Sequence, residues 1–276
     1  MLKPETQFRI ERFLKTVAQA QRSLLLLDYD GTLAPFRQER DQAFPYPGSA
    51  HLLEEVVRSG HTRVVIISGR DTSETIPLLG VAPVPEVWGL HGLQRRKPDG
   101  RIETVRIDER YLDALSDANR WLECQHLQHA AEIKTGSVAV HWRGLTDSGV
   151  EELRRRLLAG WNPIAEHSGM ELLEFDGGIE IRAPEVDKGD VVRIVLSEMD
   201  PDTPAAYLGD DATDERAFRA ISGRGLSVLV RPRWRQTAAQ LWLKPPGELL
   251  DFLTRWLDAV RGRDALGGET AAAVNG

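Results

Sequence analysis

Two aspartates, Asp28 and Asp30, close the most apolar run of the chain, "LLLLDYDGTL". Residues two apart on an extended strand point to the same side, so both carboxyl groups can share one site. Gly31 and Thr32 follow, where the chain can turn away. Two close carboxylates repel unless one holds a proton or a cation lies between them. A second acidic cluster, "LGDDATDE", also follows an apolar run and supplies Asp210, Asp211 and Asp214. Oxygen-only ligands from several acids suit Mg²⁺, a hard ion that favours phosphate substrates. Taken singly, "DYDG" also fits a turn, and "GDDATDE" also fits a helix start with acids in its first turn. Both together, each closing an apolar run, favour a metal site.

The pattern around these residues brings them to one place. Helix is predicted from about Glu5 to Gln21, then strand from Ser23 to Asp28. "PGSAHLLEEVVRSG" reads as a helix stopped by Gly60, and "TRVVIIS" as a buried β-branched strand. Asp71 with Glu74 resembles a capping box for the next helix, and "EVWGL" is a third strand. Strand alternating with helix implies a parallel sheet with right-handed crossovers. Three hairpins then break the rhythm, turning at Asp99-Gly100, Thr135-Gly136 and Asp176-Gly177-Gly178. Helices of about Glu109–His129 and Thr146–Ala159 lie between them. After "IEIRA" the alternation resumes with "DKGDVVRIVLSEM", "AAYLGDD", "DERAFRAI", "LSVLV" and "GELLDFLTRWLDAVR", and the tail "GGETAAAVNG" reads as unstructured. The predicted fold is α/β: a Rossmann-like, doubly wound parallel core over 1–92 and 183–276, interrupted by an antiparallel α+β cap over 93–182. Ligands of such sheets bind beyond the strands' carboxyl ends, where Asp28 to Asp30, Ser68 to Arg70, His91 and Asp210 all fall.

The composition narrows the class. A chain of 276 residues can bury a sizeable core. The net charge of -7, with no long basic run, argues against nucleic acid as partner. A single cysteine, Cys124, excludes an internal disulfide framework and fits a reducing compartment. No stretch approaches the roughly 20 apolar residues of a membrane span. The opening "MLKPETQFRIERFLKT" reads as an amphipathic helix rather than a leader, so a cytoplasmic location is expected.

"LDYDGTL", "IISGR", "DKGDVV" and "LGDDATDE" resemble, in order and in strand-end position, the four motifs of the haloacid dehalogenase superfamily of phosphohydrolases. "GLHG", "VAVHWR", "IEIRAP" and "GDDATDE" are similar to the trehalose-6-phosphate phosphatases within it, over about Ser23 to Leu250. The resemblance implies Asp28 as nucleophile and Asp30 as general acid and base. It implies Mg²⁺ held by Asp28, the backbone carbonyl of Asp30, and Asp210, with Asp211 and Asp214 orienting the metal's waters. Ser68 and Lys188 would bind phosphate. Arg70, His91, Lys134, His141, Arg143, Glu180 and Arg182 would contact a small sugar phosphate, trehalose 6-phosphate. From residue pattern alone, Arg70 also fits a plain ion pair, His141 a satisfied strand histidine, and Glu180 and Arg182 a solvated sheet face. Trp88, Trp121, Trp161 and Trp256 fall on apolar faces and are expected in the core. Two rivals stand beside this reading: a phosphatase for another sugar phosphate, such as glucosyl- or mannosyl-glycerate or sucrose phosphate, and a catalytically silent regulatory module.

Overall fold

The computed structural model describes residues 4–37, 39–142, 144–175, 177–184 and 186–272, the last ten as backbone only. Its elements run α1 (Pro4–Gln19), β1 (Ser23–Asp28), α2 (Ser49–Arg58), β2 (Thr62–Ile67), α3 (Thr72–Leu79), β3 (Glu86–Gly89), β4 (Gln94–Arg96) and β5 (Ile102–Thr104). Next come α4 (Glu109–Cys124), β6 (Ala131–Lys134), β7 (Ser137–His141), α5 (Asp147–Ser168), β8 (Glu171–Phe175) and β9 (Gly178–Arg182). The chain closes with α6 (Lys188–Ser197), β10 (Ala205–Gly209), α7 (Glu215–Ile221), β11 (Gly225–Val230), β12 (Leu241–Leu243) and α8 (Gly247–Ala272).

Strand alternation explains the layers. In β1, Leu25 and Leu27 join one apolar cluster with residues of α1, α2 and α8, while Leu24 and Leu26 join another with α6 and α7. A strand with helices on both sides must be apolar on both faces, hence the unbroken leucine run. The sheet order is β12-β11-β10-β1-β2-β3-β4-β5, parallel from β12 to β3. The carboxyl ends of β10, β1, β2 and β3 therefore line up along one edge. A second sheet, β6-β7-β9-β8, is antiparallel throughout. One face, with Val138, Val140, Ile179 and Ile181, packs on α4 and α5 around the fully buried Trp161. The other face carries Lys134, Ser137, His141 and Glu180.

The fold departs from the sequence-based expectations in particular places. The hairpin at Asp99-Gly100 forms, but β4 pairs with β3, so β4 and β5 extend the core sheet instead of starting the inserted module at 93. The open edge of β3 takes the strand that returns directly to it through a tight turn at Leu90 and His91, both left-handed (φ 51° and 56°). The Asp71 side chain caps α3 through Ser73, while Glu74 pairs with Arg40, so no capping box closes. α4 ends at Cys124, short of His129, and α5 runs on to Ser168 because Trp161 and Ala165 continue its buried stripe. α8 extends to Ala272, into the tail expected to be unstructured. Trp88, Trp161 and Trp256 are buried and Trp121 is partly buried, as expected.

Candidate active site

Asp28 ends β1 almost fully buried. Its Oδ1 accepts from Lys188 Nζ at 2.6 Å and its Oδ2 from the Thr32 hydroxyl at 2.9 Å. Lys188 is the first residue of α6, and Asp187 fixes that start by accepting from the backbone N–H of Gly189 and Asp190. The same ammonium donates to Asp214 Oδ1 at 2.8 Å. Asp214 Oδ1 also accepts from the Tyr207 hydroxyl, and its Oδ2 from the backbone N–H of Asp210 and Asp211 at 2.9 and 3.0 Å. Both oxygens of Asp214 thus hold Lys188 and shape the loop beside the acidic cluster.

Oxygens of Asp28, Asp210 and Asp214 lie within 4.8 Å of one another. Burial pushes the Asp28 carboxyl up to about 7, against the pull of Lys188. Burial and the neighbouring Asp28 and Asp214 push Asp210 well above the usual carboxylate range. Burial opposes the charge on Lys188, but Asp214 and Asp28 outweigh it and raise its affinity for a proton. Ionising all three carboxylates beside the one ammonium would leave a net charge of -2 (one minus three), which is why the metal-free site holds protons on Asp28 and Asp210. A divalent cation balances that charge, and the all-oxygen donor set suits a hard one. Gly31 adjoins this site with φ +85°, where a Cβ would sit 2.1 Å from Asp210 Oδ2. Only glycine combines that backbone with that approach.

Around this floor the structure brings most of the expected residues together. Asp30 is gripped by Arg70, with Nε to Oδ2 and Nη2 to Oδ1 both at 2.6 Å. Ser68 is fully buried, and its hydroxyl accepts from the Arg70 backbone N–H at 3.1 Å. The left-handed turn at His91 lays its imidazole against Gly69, where a Cβ would come within 2.6 Å of the ring. "SGR" and "GLHG" therefore depend on each other. Asp28, Asp30, Asp210 and Lys188 share one cleft with Lys134, His141 and Glu180 of the second sheet.

Glu180 is only 2% exposed, not on a solvated face. Its Oε1 accepts from the Ser137 hydroxyl at 2.6 Å and lies 3.5 Å from Lys134 Nζ; its Oε2 lies 3.4 Å from His91 Nε2. Burial would raise this carboxyl, but Lys134, His91 and Ser137 outweigh it and bring it down to about 2. His91 is itself held to about 3, chiefly by burial, so near neutral pH Lys134 is the cation that matters. Among the described residues, the buried Nδ1 atoms of His91 and His141 have no hydrogen-bond partner. Arg182 is turned to Glu171 at 3.0 Å and does not line the cleft. Arg143 lies outside the described residues.

Among the cleft residues that sequence reasoning missed are Phe36, Arg40, Glu132 and Phe175. Period two on β6 puts Glu132 on the same face as Lys134, a signal that was available. Phe36 sits in irregular chain and Arg40 in a single short 3₁₀ turn, neither with a periodicity to mark it.

A family model for trehalose-phosphatase matches residues 26–241. The chain belongs to the trehalose-phosphatase family. It is 29% identical over 253 residues to a trehalose-phosphate phosphatase of Mycobacterium marinum, covering 85% of this chain and 61% of that protein. It is 27% identical over 227 residues to a bifunctional trehalose-6-phosphate synthase/phosphatase of Thermoproteus tenax, covering 82% of this chain and 31% of that protein. The chain thus spans less than two thirds of these curated relatives. The C-terminal domain of the C. albicans trehalose-6-phosphate phosphatase superposes with a TM-score of 0.78 at 21% identity, covering 90% of this chain and 96% of that one. A trehalose-6-phosphate phosphatase related protein superposes at 0.64 with 25% identity, covering 90% of this chain and all of the other. These structural likenesses agree with the α/β core and added antiparallel sheet described above. Among the described residues, no helix is long and apolar enough to cross a membrane.

Proposed function

We propose that this chain is a Mg²⁺-dependent phosphatase of trehalose biosynthesis. It hydrolyses trehalose 6-phosphate to trehalose and phosphate through an aspartyl phosphate on Asp28. One observation carries the reading: a buried carboxylate–ammonium cluster opens into the same cleft as a polar, ion-paired sheet face. The first suits phosphate chemistry and the second suits hydroxyl recognition.

Asp28, Asp210 and the Asp30 backbone carbonyl would hold Mg²⁺, whose charge offsets that of the phosphate. Asp28 supplies the attacking oxygen; a new O–P bond forms as the bond to the sugar oxygen breaks. Asp30 gives its proton to that leaving oxygen, then takes one from the water that cleaves the aspartyl phosphate. Arg70 fixes the plane of the Asp30 carboxyl, and each oxygen keeps a second lone pair for the proton. Lys188 balances the transferring group by charge, with Asp214 holding it in place. Ser68 braces the Arg70 backbone beside the phosphate position.

We assign the specificity cap to α4, α5 and β6 to β9. Lys134, His141, Glu180 and, from the core side, His91 read sugar hydroxyls. A substrate lacking a matching hydroxyl would leave buried polar groups unpaired, which is the stronger form of discrimination. The lone exposed Cys124 accords with a reducing, cytoplasmic setting.

The test is kcat/KM on a panel of trehalose 6-phosphate, sucrose phosphate, and glucosyl- and mannosyl-glycerate phosphates, each with and without Mg²⁺. Trehalose 6-phosphate should lead. A lead of another member would move the substrate, and no release from any would return the chain to a binding role.

A further inference from the structure

Arg40 stands where the two sheets meet. It opens a 3₁₀ turn, Arg40–Gln42, between β1 and α2. Its guanidinium bridges to Glu132 of β6 and, through Nη2, to Glu74 of α3 at 3.1 Å. Its backbone carbonyl accepts from Arg70 Nη1 at 2.8 Å. The remaining Arg70 donors named above, Nε and Nη2, both go to Asp30. A continuous run of contacts therefore leads from the cap hairpin through Arg40 and Arg70 to the carboxyl that moves the proton.

The two ends of this run are built firmly. Burial disfavours charge on Glu132, yet His141, Lys134 and Arg40 outweigh it and keep the carboxyl ionised well below its usual range. His141 Nε2 is 2.9 Å from Glu132 Oε2, and Lys134 Nζ is 3.4 Å from Oε1. At the other end Arg70 is only 4% exposed, so a lost acceptor at Nη1 would leave a buried donor unsatisfied. The Arg40–Glu132 bridge also forms a wall shared by the catalytic cleft and the two cavities flanking it.

We propose that Arg40 is a positioning residue. Its bridge to Glu132 pins the 3₁₀ turn when the cap hairpin is seated, and its carbonyl then holds Arg70, and through it Asp30, in the geometry for proton transfer. Cap seating and acid placement are thereby one event. The proposal rests on Asp30 as proton donor, as in the proposed function, but not on trehalose 6-phosphate as substrate.

The test uses the Mg²⁺-loaded full chain and two substrates without sugar, phenyl phosphate and 4-nitrophenyl phosphate. Phenolate needs a proton to leave; nitrophenolate scarcely does. A positioned acid contributes roughly 10²–10⁴-fold, so its misplacement should cost about tenfold on phenyl phosphate and under about threefold on the nitrophenyl ester. Arg40→Ala should show that split, Arg40→Lys should recover most of it, and Glu132→Ala should reproduce it from the cap side. The double variant should be no worse than either single one. A readout apart from turnover is the Arg70 Nε–H proton resonance, whose exchange with solvent should quicken in Arg40→Ala. Equal losses on both esters, additive effects in the double variant, or an unchanged Arg70 resonance would overturn the proposal. Intact behaviour here with no turnover of trehalose 6-phosphate would fault the substrate assignment alone.

Discussion

Glu180→Ala separates cap recognition from phosphate chemistry and also tests the buried network. The carboxylate is 2% exposed and accepts a 2.6 Å bond from Ser137 while facing Lys134 and His91. Losing a charge-assisted hydrogen bond costs about 1.5–3 kcal/mol. Breaking a buried ion pair can cost about 3–5 kcal/mol. That upper range is not reached, because Lys134 keeps Glu132 at 3.4 Å and is not stranded. The expected loss is therefore about 2–3 kcal/mol, or a drop in Tm of about 3–5 °C for a chain of this size. In activity, kcat/KM for trehalose 6-phosphate should fall about ten- to a hundredfold. Turnover of 4-nitrophenyl phosphate, which offers no sugar to the cap, should stay within about threefold of wild type. Calorimetry and steady-state kinetics on the same preparation measure both. A Tm within about 1 °C of wild type would refute the buried network. Equal losses on the two substrates would place Glu180 with the phosphate machinery instead.

Asp28→Asn should abolish turnover by about a thousandfold or more, because an amide is a poor nucleophile and a weaker metal ligand; residual activity within about tenfold would contradict the covalent route. EDTA should silence the enzyme and Mg²⁺ restore it, with Zn²⁺ a poor substitute for an all-oxygen donor set, and full activity in metal-free buffer would contradict the acidic cluster's role. Gly31→Ala, at φ +85° with its Cβ 2.1 Å from Asp210 Oδ2, should weaken Mg²⁺ activation about tenfold or more; an unchanged Mg²⁺ requirement would show that Asp210 is not a ligand. His91 takes no proton in the folded chain until about pH 3, whereas the unfolded chain takes one near 6.5, so the His91 contribution to stability should decline as pH falls below 6.5, against the opposite slope from the raised Asp28 and Asp210 carboxyls. Glu180, brought down to about 2 from 4.5, adds a further loss only below about 4.5. Thermal scans between pH 6.5 and 5 should be flatter for His91→Gln, and an unchanged slope would contradict the neutral imidazole.

The core was legible because its chemistry is written at strand ends. Leu24 to Leu27 announce a strand buried on both faces, and the acids after it have no structural use there. Hairpin turns were equally legible from Asp99-Gly100 and Thr135-Gly136, but a turn names only the two strands it joins. Which sheet they extend depends on the free edge of β3, a tertiary fact that placed β4 and β5 in the core. Strand alternation put Glu180 on the polar face correctly, yet could not tell a solvated face from one closed by Ser137, Lys134 and His91. Arg40 was beyond reach for another reason: it acts through a backbone carbonyl and one bridge, and neither leaves a spacing in the sequence. The four bonds of Asp214 were not legible either, because Tyr207, Lys188 and two backbone amides are partners set by the folded loop.

The most direct measurement of the central claim is a rapid acid quench of Mg²⁺-loaded enzyme mixed with trehalose 6-phosphate, followed by peptide mass analysis and assay of free trehalose. The account predicts one phosphoryl group on the peptide carrying Asp28, appearing together with an equal amount of trehalose and decaying as phosphate is released. Trehalose formed with Asp28 never modified would contradict the covalent mechanism, and no trehalose at all would contradict the function.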